Sequence, residues 1–298
     1  MLLIWLACAP YLQYKNHIQK KLRTNGFHHE IIEQDGHHIS YWVKGEGRKA
    51  PLVLVHGFGG SGMMTWNRII AKVSKDRPVL LPDLLWFGES YSTQTPSLET
   101  QAHALSLILE KEDWVSFDLV GTSYGGFVSL EYSRTHQSSI QKLIVLDSPG
   151  PVFSDIDVEA LNQRFHMGSP KDLFVPKKSQ DIQDLVDICF YRKQIRIPKF
   201  FLDELWKETS FSLYQQEKID MLEQLMNARS MYQGVEWHVD HILWGEFDTI
   251  FPAQEALELG ELTGATVDIL PQTAHCPFVE KPEEFLDVFL PILDRVGK

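Results

Sequence analysis

Residues 117–132 read F-D-L-V-G-T-S-Y-G-G-F-V-S-L-E-Y. Phe117 to Val120 form a short, mostly apolar run of the buried-strand kind, Gly121-Thr122-Ser123-Tyr124-Gly125 follows, and apolar residues then recur at helical spacing. The segment predicts a strand, a tight turn and a helix. A serine in such a turn has strained backbone angles, and only glycines at the two flanking positions let strand and helix approach each other. Gly121 and Gly125 stand there. The Ser123 hydroxyl is then raised clear of the sheet at the positive end of a helix, with the Tyr124 N–H able to donate to an oxyanion. Ser123 is the candidate nucleophile. A G-x-S-x-G match alone is as often a plain turn, so the remaining chain must supply a base and an acid.

Toward the N-terminus, residues 51–56 (P-L-V-L-V-H) make a continuous apolar run of the buried parallel type, ending in His56-Gly57-Phe58-Gly59-Gly60. A glycine-rich loop after a central strand presents backbone N–H groups to negative charge, which makes Phe58 the second candidate oxyanion donor. A phosphate cradle is disfavoured, because G-F-G-G-S-G at 57–62 lacks the long βαβ continuation with a ribose-binding acid. Residues 27–43 alternate about Gly36 and predict an antiparallel hairpin at a sheet edge. Helices are expected at 66–73 and 97–110, and a strand at 78–81. Asp83 and His56 are expected to bond their own loops. The pairs His28-His29 and His37-His38 lack metal-ligand spacing on a helix and are expected to be solvated.

Toward the C-terminus, residues 141–146 form the next apolar strand. From 152 to about 235 no strand-like run occurs, only amphipathic helical patterns separated by Pro170, Pro176 and Pro198. This region predicts an inserted helical lid. Among its bulky residues are Phe153, Phe165, Met167, Phe174, Phe190, Phe200, Phe201, Phe211, Met221 and Met226; most should form core and a few should line an acyl or ring pocket over Ser123. The sheet resumes at 239–244 and 266–270, with Asp248 and His275 just past those strands and a closing helix at 282–290. Alternation of strand and helix implies an α/β chain with a mostly parallel, doubly wound sheet. The expected division is an N-terminal helix over 1–26, a core of 27–151 with 236–298, and a helical insertion of 152–235.

With 298 residues and 44% hydrophobic content the chain can bury a substantial core. Its formal charge of −12 opposes nucleic acid and anionic membrane surfaces as partners at long range. Cys8, Cys189 and Cys276 lie far apart without a C-x-x-C pair, so neither a zinc site nor a disulfide framework is indicated. A cytoplasmic location follows as the expectation. Residues 1–9 (M-L-L-I-W-L-A-C-A) are too short an apolar run to span a bilayer, for which about 20 residues are needed. The run lacks a basic leader, and Pro10 opposes cleavage after Ala9. Residues 1–22 carry an aromatic and basic fringe, which predicts either peripheral membrane contact or a helix packed on the body.

Ser123, Asp248 and His275 occur in the order nucleophile, acid, base, each past the carboxyl end of an expected strand. A serine needs a base to take its proton, and the base needs a carboxylate to hold its tautomer. With H-G-F-G-G, D-L-L-W-F-G-E-S, G-T-S-Y-G-G, G-E-F-D-T-I-F-P and A-H-C-P-F-V-E-K-P, the chain over 27–295 resembles a capped α/β-hydrolase. Its esterase and monoacylglycerol-lipase-like branch is the most similar. The resemblance implies an eight-stranded sheet with a helical cap, a catalytic triad of Ser123, Asp248 and His275, an oxyanion hole of the Phe58 and Tyr124 N–H groups, and no cofactor. It implies ester hydrolysis through an acyl-enzyme on a small-molecule ester substrate. Some relatives place the acid at the position of Asp147; the intact G-x-x-D-x-x-x-P setting favours Asp248, and Glu246 reads as a loop residue. Leu85-Trp86 replaces the family's Pro-Gly in the 83–90 loop. Other readings are a carbon–carbon bond hydrolase of ring-fission diketones and a non-catalytic receptor for a small apolar ligand. An aminopeptidase lacks its acidic cluster in the lid, and halide or epoxide chemistry would need aspartate at 123.

Overall fold

The computed structural model describes residues 10–191, 196–228, 232 and 235–295. Apolar runs without polar alternation become its inner strands, because a parallel strand covered on both faces has no solvent side. The nine strands are β1 (His28–Gln34), β2 (His37–Lys44), β3 (Leu52–Val55), β4 (Val79–Pro82), β5 (Tyr91–Ser92), β6 (Phe117–Thr122), β7 (Ile140–Leu146), β8 (His241–Gly245) and β9 (Thr266–Leu270). Eight of them run in the order β1-β2-β4-β3-β6-β7-β8-β9, and the two-residue β5 pairs with β2. From β4 through β9 every neighbour along that path is parallel. The doubly wound sheet expected from the sequence is present, and the 27–43 hairpin is its antiparallel edge, turning at Asp35 (φ 54°) and Gly36 (φ 80°).

Two apolar layers flank the sheet. One gathers Trp86, Phe87, Phe117 and Phe127, and the other Trp66, Phe278, Phe285 and Phe289. Between β7 and β8 the chain forms helices Asp155–Arg164, Lys171–Phe174, Ser179–Cys189, Lys199–Glu208 and Gln215–Ala228, with no strand among the described residues there. The helix Pro10–Thr24 packs on this insertion and on the body. Its first N–H groups, those of Tyr11 and Leu12, donate to Glu204 at 3.0 and 3.2 Å, and Ile18 and Leu22 are buried. Cys8 and the apolar residues 1–9 behind the membrane expectation lie outside the described residues. Among the described residues no helix is long and apolar enough to cross a membrane.

Local expectations were met unevenly. The stretch 66–73 is not one helix but two short ones, Gly62–Trp66 and Ile70–Val73. His37 is buried, not solvated: β2 lies inside the sheet, and the His37 ring bonds Ser92 at 2.7 Å while facing His103. Trp86, which stands where the resembled family has glycine, keeps glycine's backbone conformation (φ 68°) although fully buried. Packing of the indole, whose N–H donates to the Ser92 carbonyl at 3.3 Å, offsets that strain.

The approach of β6 to the helix Tyr124–His136 is set by glycine. A Cβ on Gly121 would sit 2.2 Å from the Gly125 carbonyl oxygen, and one on Gly125 would sit 2.4 Å from that of His56. Both obstacles are backbone atoms that no rotamer change can move. Gly121→Ala is therefore expected to destabilise the protein by about 3 kcal/mol, the upper end for forced overpacking. Thermal denaturation checks this, and an unchanged midpoint would show that the spacing has slack.

Candidate active site

At the tip of β6 the backbone turns sharply, and Ser123 takes φ 53° and ψ −123°, outside the regions a side chain prefers. The turn is held from both sides. The Ser123 N–H donates to Leu146 O at 2.9 Å, and its carbonyl accepts the Gly126 N–H at 2.8 Å. The glycine-rich loop closes in from β3, where a Cβ on Gly57 would lie 3.1 Å from Ser123 Cβ. Phe58 follows directly, its ring 5.8 Å from that of Tyr124 in an edge-on arrangement. Tyr124 opens the helix, so its N–H has no acceptor within the helix.

The candidate acid and base arrive from β8 and β9. Gly245 ends β8 so close to the neighbouring loop that a Cβ there would lie 1.9 Å from Ala274 O. Asp248 is anchored by the N–H groups of Ile250 and Phe251 on Oδ1, at 2.8 and 3.1 Å. Its Oδ2 accepts from His275 Nδ1 at 2.7 Å. That bond leaves Nε2 as the nitrogen available for proton transfer. Among the described residues nothing hydrogen-bonds the Ser123 hydroxyl, so the structure joins Asp248 to His275 and leaves Ser123 without a bond to either. Catalytic hydrogen bonds commonly tighten only around substrate. Phe251 bridges the gap, lining the cavity at Ser123 while its ring lies 5.7 Å from the imidazole.

Asp147, the rival acid, is brought close as well. One ligand atom each from Asp147, Asp248 and His275 lie within 4.8 Å of one another. Yet among the described residues Asp147 has one donor, the Gly245 N–H at 2.8 Å on Oδ1, and its buried Oδ2 has no partner. Burial, with Asp248 adding, holds its carboxyl well above the usual carboxylate range. For His275, burial pushes the imidazole down, but the charge and hydrogen bond of Asp248 win and raise it to about 9. The other carboxylates and His56 serve the loops, as expected. Asp83 accepts from the N–H groups of Gly62 and Glu89 at 2.8 and 3.0 Å, Glu246 accepts from that of Gln272, and His56 donates to Gly57 O and accepts from the Leu84 N–H.

Residues 50–282 match the family model described as the alpha/beta hydrolase fold. The chain belongs to the alpha/beta hydrolase family. A candidate lipase from Acinetobacter baumannii AYE superposes with a TM-score of 0.78 at 23% identity, over 94% of this chain and 95% of that one. Lipase 1 of Psychrobacter immobilis is 26% identical over 262 residues, 85% of this chain and 79% of its own. The 2-hydroxymuconate semialdehyde hydrolase of Pseudomonas sp. (strain CF600) is 24% identical over 246 residues, 79% of this chain and 83% of its own.

In this hydrolase the cavity at Ser123 is lined by Phe58, Tyr124, Phe127, Phe153, Leu161, Pro170, Phe174, Leu222, Leu225, Met226 and Phe251. Phe153, Phe174 and Met226 were among the aromatic and methionine residues expected there. Leu161, Leu222 and Leu225 were missed, since a leucine at helical spacing reads as core whichever way the helix faces. Lys218 lies outside that lining: it is buried on the helix Gln215–Ala228, donates to Leu213 O at 2.7 Å with its ammonium 5.4 Å over the Phe87 ring, and burial pushes it down to about 7. The balance at His275 is open to direct test. In Asp248→Asn only burial and weaker charges remain, so imidazole titration followed by NMR should fall from about 9 to below the ordinary histidine value. Retention near 9 would mean that Asp248 does not set it.

Proposed function

We propose that this chain is a serine hydrolase cleaving uncharged carboxylic esters with apolar acyl chains of short to medium length. The observation that carries the reading is the Asp248–His275 hydrogen bond of 2.7 Å, on loops flanking a serine held at φ 53° over an apolar cavity. In this mechanism Ser123 attacks the ester carbonyl and His275 Nε2 takes its proton. His275 then returns the proton to the leaving alcohol, and water hydrolyses the acyl-enzyme by the same route. Asp248 keeps Nδ1 protonated and offsets the imidazolium charge. The N–H groups of Phe58 and Tyr124 receive the oxyanion, and each such donor is worth roughly 10²–10³ in turnover.

The cavity argues for the short end of the acyl range. Its free volume of about 30 Å³ has room for only a few atoms, so a longer chain enters only if side chains of the insertion, such as Leu222 and Met226, shift. Monoacylglycerols belong to the substrates this reading admits. A carbon–carbon bond hydrolase is the second reading, favoured by the similarity to the semialdehyde hydrolase. Such a substrate carries a carboxylate and an enol. No charged side chain lines the cavity at Ser123 among the described residues, which favours the ester.

Ser123→Ala is expected to lose about 10⁶-fold in turnover of p-nitrophenyl butyrate, the scale of losing an activated nucleophile, together with all labelling by a fluorophosphonate. Full labelling of that variant would remove Ser123 from the mechanism. The general base works only when neutral. Turnover per substrate should thus rise with pH through the His275 value, about 9, and a profile already flat from neutrality would contradict that assignment. Asp248→Asn should cost about 10⁴-fold. Asp147→Asn, which replaces a carboxyl held above the usual range, should cost far less; the reverse ranking would make Asp147 the acid.

A further inference from the structure

Cys189 ends the insertion helix Ser179–Cys189, and Cys276 is the residue after His275. Eighty-seven residues of sequence separate two thiols that the fold brings into hydrogen-bonding contact. Three further contacts fix the same short segment of the insertion to the two loops that carry Asp248 and His275. Thr249 donates to Ile188 O at 3.1 Å, the Tyr191 N–H donates to Glu280 Oε2 at 2.8 Å, and the Tyr191 ring stacks on Phe247 at 4.5 Å. The other oxygen of Glu280 accepts the Ala274 N–H, one residue before the imidazole. The sulfurs therefore face each other across a latched seam rather than meeting by chance at a mobile surface. Both cysteines are free thiols and only half-buried.

We propose that Cys189 and Cys276 form a reversible disulfide that ties the helical insertion to the histidine loop and lowers turnover. The oxidant is a peroxide. The Cys189 thiolate attacks the O–O bond, giving a sulfenic acid and releasing one water equivalent; Cys276 then attacks the sulfenic sulfur, a second water leaves, and the S–S bond forms. Two thiols are oxidised and one peroxide is reduced to two waters. The division of roles follows from the hydrogen bond. Donation from Cys276 holds the Cys189 thiol below its usual range, while the same bond and burial push Cys276 up. The thiol held lower is the one that reacts first. A dithiol reductant reverses the step by thiol–disulfide exchange.

Covalent bonding draws the sulfurs closer than a hydrogen bond does, and Cys276 is bonded directly to the residue whose imidazole must meet Ser123. A displacement on the order of 1 Å at such a position can cost ~10²-fold in rate. Only the effect on turnover rests on the proposed esterase reading; the bond itself does not. The test treats the reduced full-length protein with hydrogen peroxide, caps remaining thiols, and maps non-reduced peptides by mass spectrometry beside p-nitrophenyl butyrate turnover. A linked Cys189–Cys276 peptide, slower hydrogen exchange over residues 179–191, and a fall of tenfold or more that dithiothreitol restores are expected. Cys189→Ser should keep the activity of the reduced protein and retain it through peroxide. A linked peptide involving Cys8 instead, no linked peptide at all, or a linked protein with unchanged exchange and turnover would overturn the proposal. Absence of ester turnover in the untreated, reduced protein would count against the esterase reading alone, because linkage and exchange are read independently of it.

Discussion

The absence of two Cβ atoms governs this molecule. Gly121 lets the end of β6 close on the first turn of the following helix, and Gly125 lets that helix close on the end of β3, with backbone oxygens 2.2 and 2.4 Å from the positions their Cβ atoms would take. Only at that separation does Ser123 have to adopt φ 53°. A strained residue of this kind costs of order 1–3 kcal/mol and survives when its surroundings over-determine it. Here they do: the Ser123 N–H is bound to the end of β7, its carbonyl to the helix, and the glycine loop after β3 presses on its Cβ. Three neighbouring strands thus fix one hydroxyl. The same strand ends present the remaining groups, since β7 runs into Asp147, β8 into Asp248 and β9 into His275.

Crowding of charge at that edge is resolved by counting donors. Two carboxyls beside one imidazole, within 4.8 Å in a buried site, repel each other when both are ionised. Asp248 has three donors, two backbone N–H groups and the imidazole. Asp147 has, among the described residues, a single N–H and one bare oxygen, and burial with the nearby Asp248 holds its carboxyl well above the usual range. Asp147 instead accepts the Gly245 N–H and completes the turn there. The chemistry of the pair is decided by backbone N–H groups, not by which aspartate is nearer in sequence.

Those donors explain where the sequence was legible and where it was not. G-T-S-Y-G announces its turn because the exclusion of a side chain at Gly121 acts on the backbone four residues on, a local constraint, although the exclusion at Gly125 comes from the distant His56 carbonyl. Strand-ending loops with a lone aspartate or histidine are legible for the same reason, through their place after an apolar run. His37 misled because burial of a strand residue depends on which helix covers it, and that helix begins sixty-one residues later, at Leu98. Leu222 and Leu225 gave no signal as cavity residues, since their periodicity is that of any buried helix face. Nothing local in the spacing of Cys189 and Cys276 indicates that the fold makes them neighbours.

That last pair shows how closely the insertion is bound to the chemistry beneath it. Glu280 spans the seam with one carboxylate, accepting the Ala274 N–H beside the imidazole and the Tyr191 N–H of the insertion. Thr249, next to the acid, reaches Ile188 across the same seam. Side chains farther along the insertion, Phe174, Leu222 and Met226, form the roof of the cavity at Ser123. A rigid-body shift of the insertion that widened the roof would therefore pull on the loops of Asp248 and His275. A larger cavity over Ser123 therefore comes from side-chain rearrangement within the roof, where methionine and leucine offer several rotamers, while the latched end at residues 188–191 stays in place.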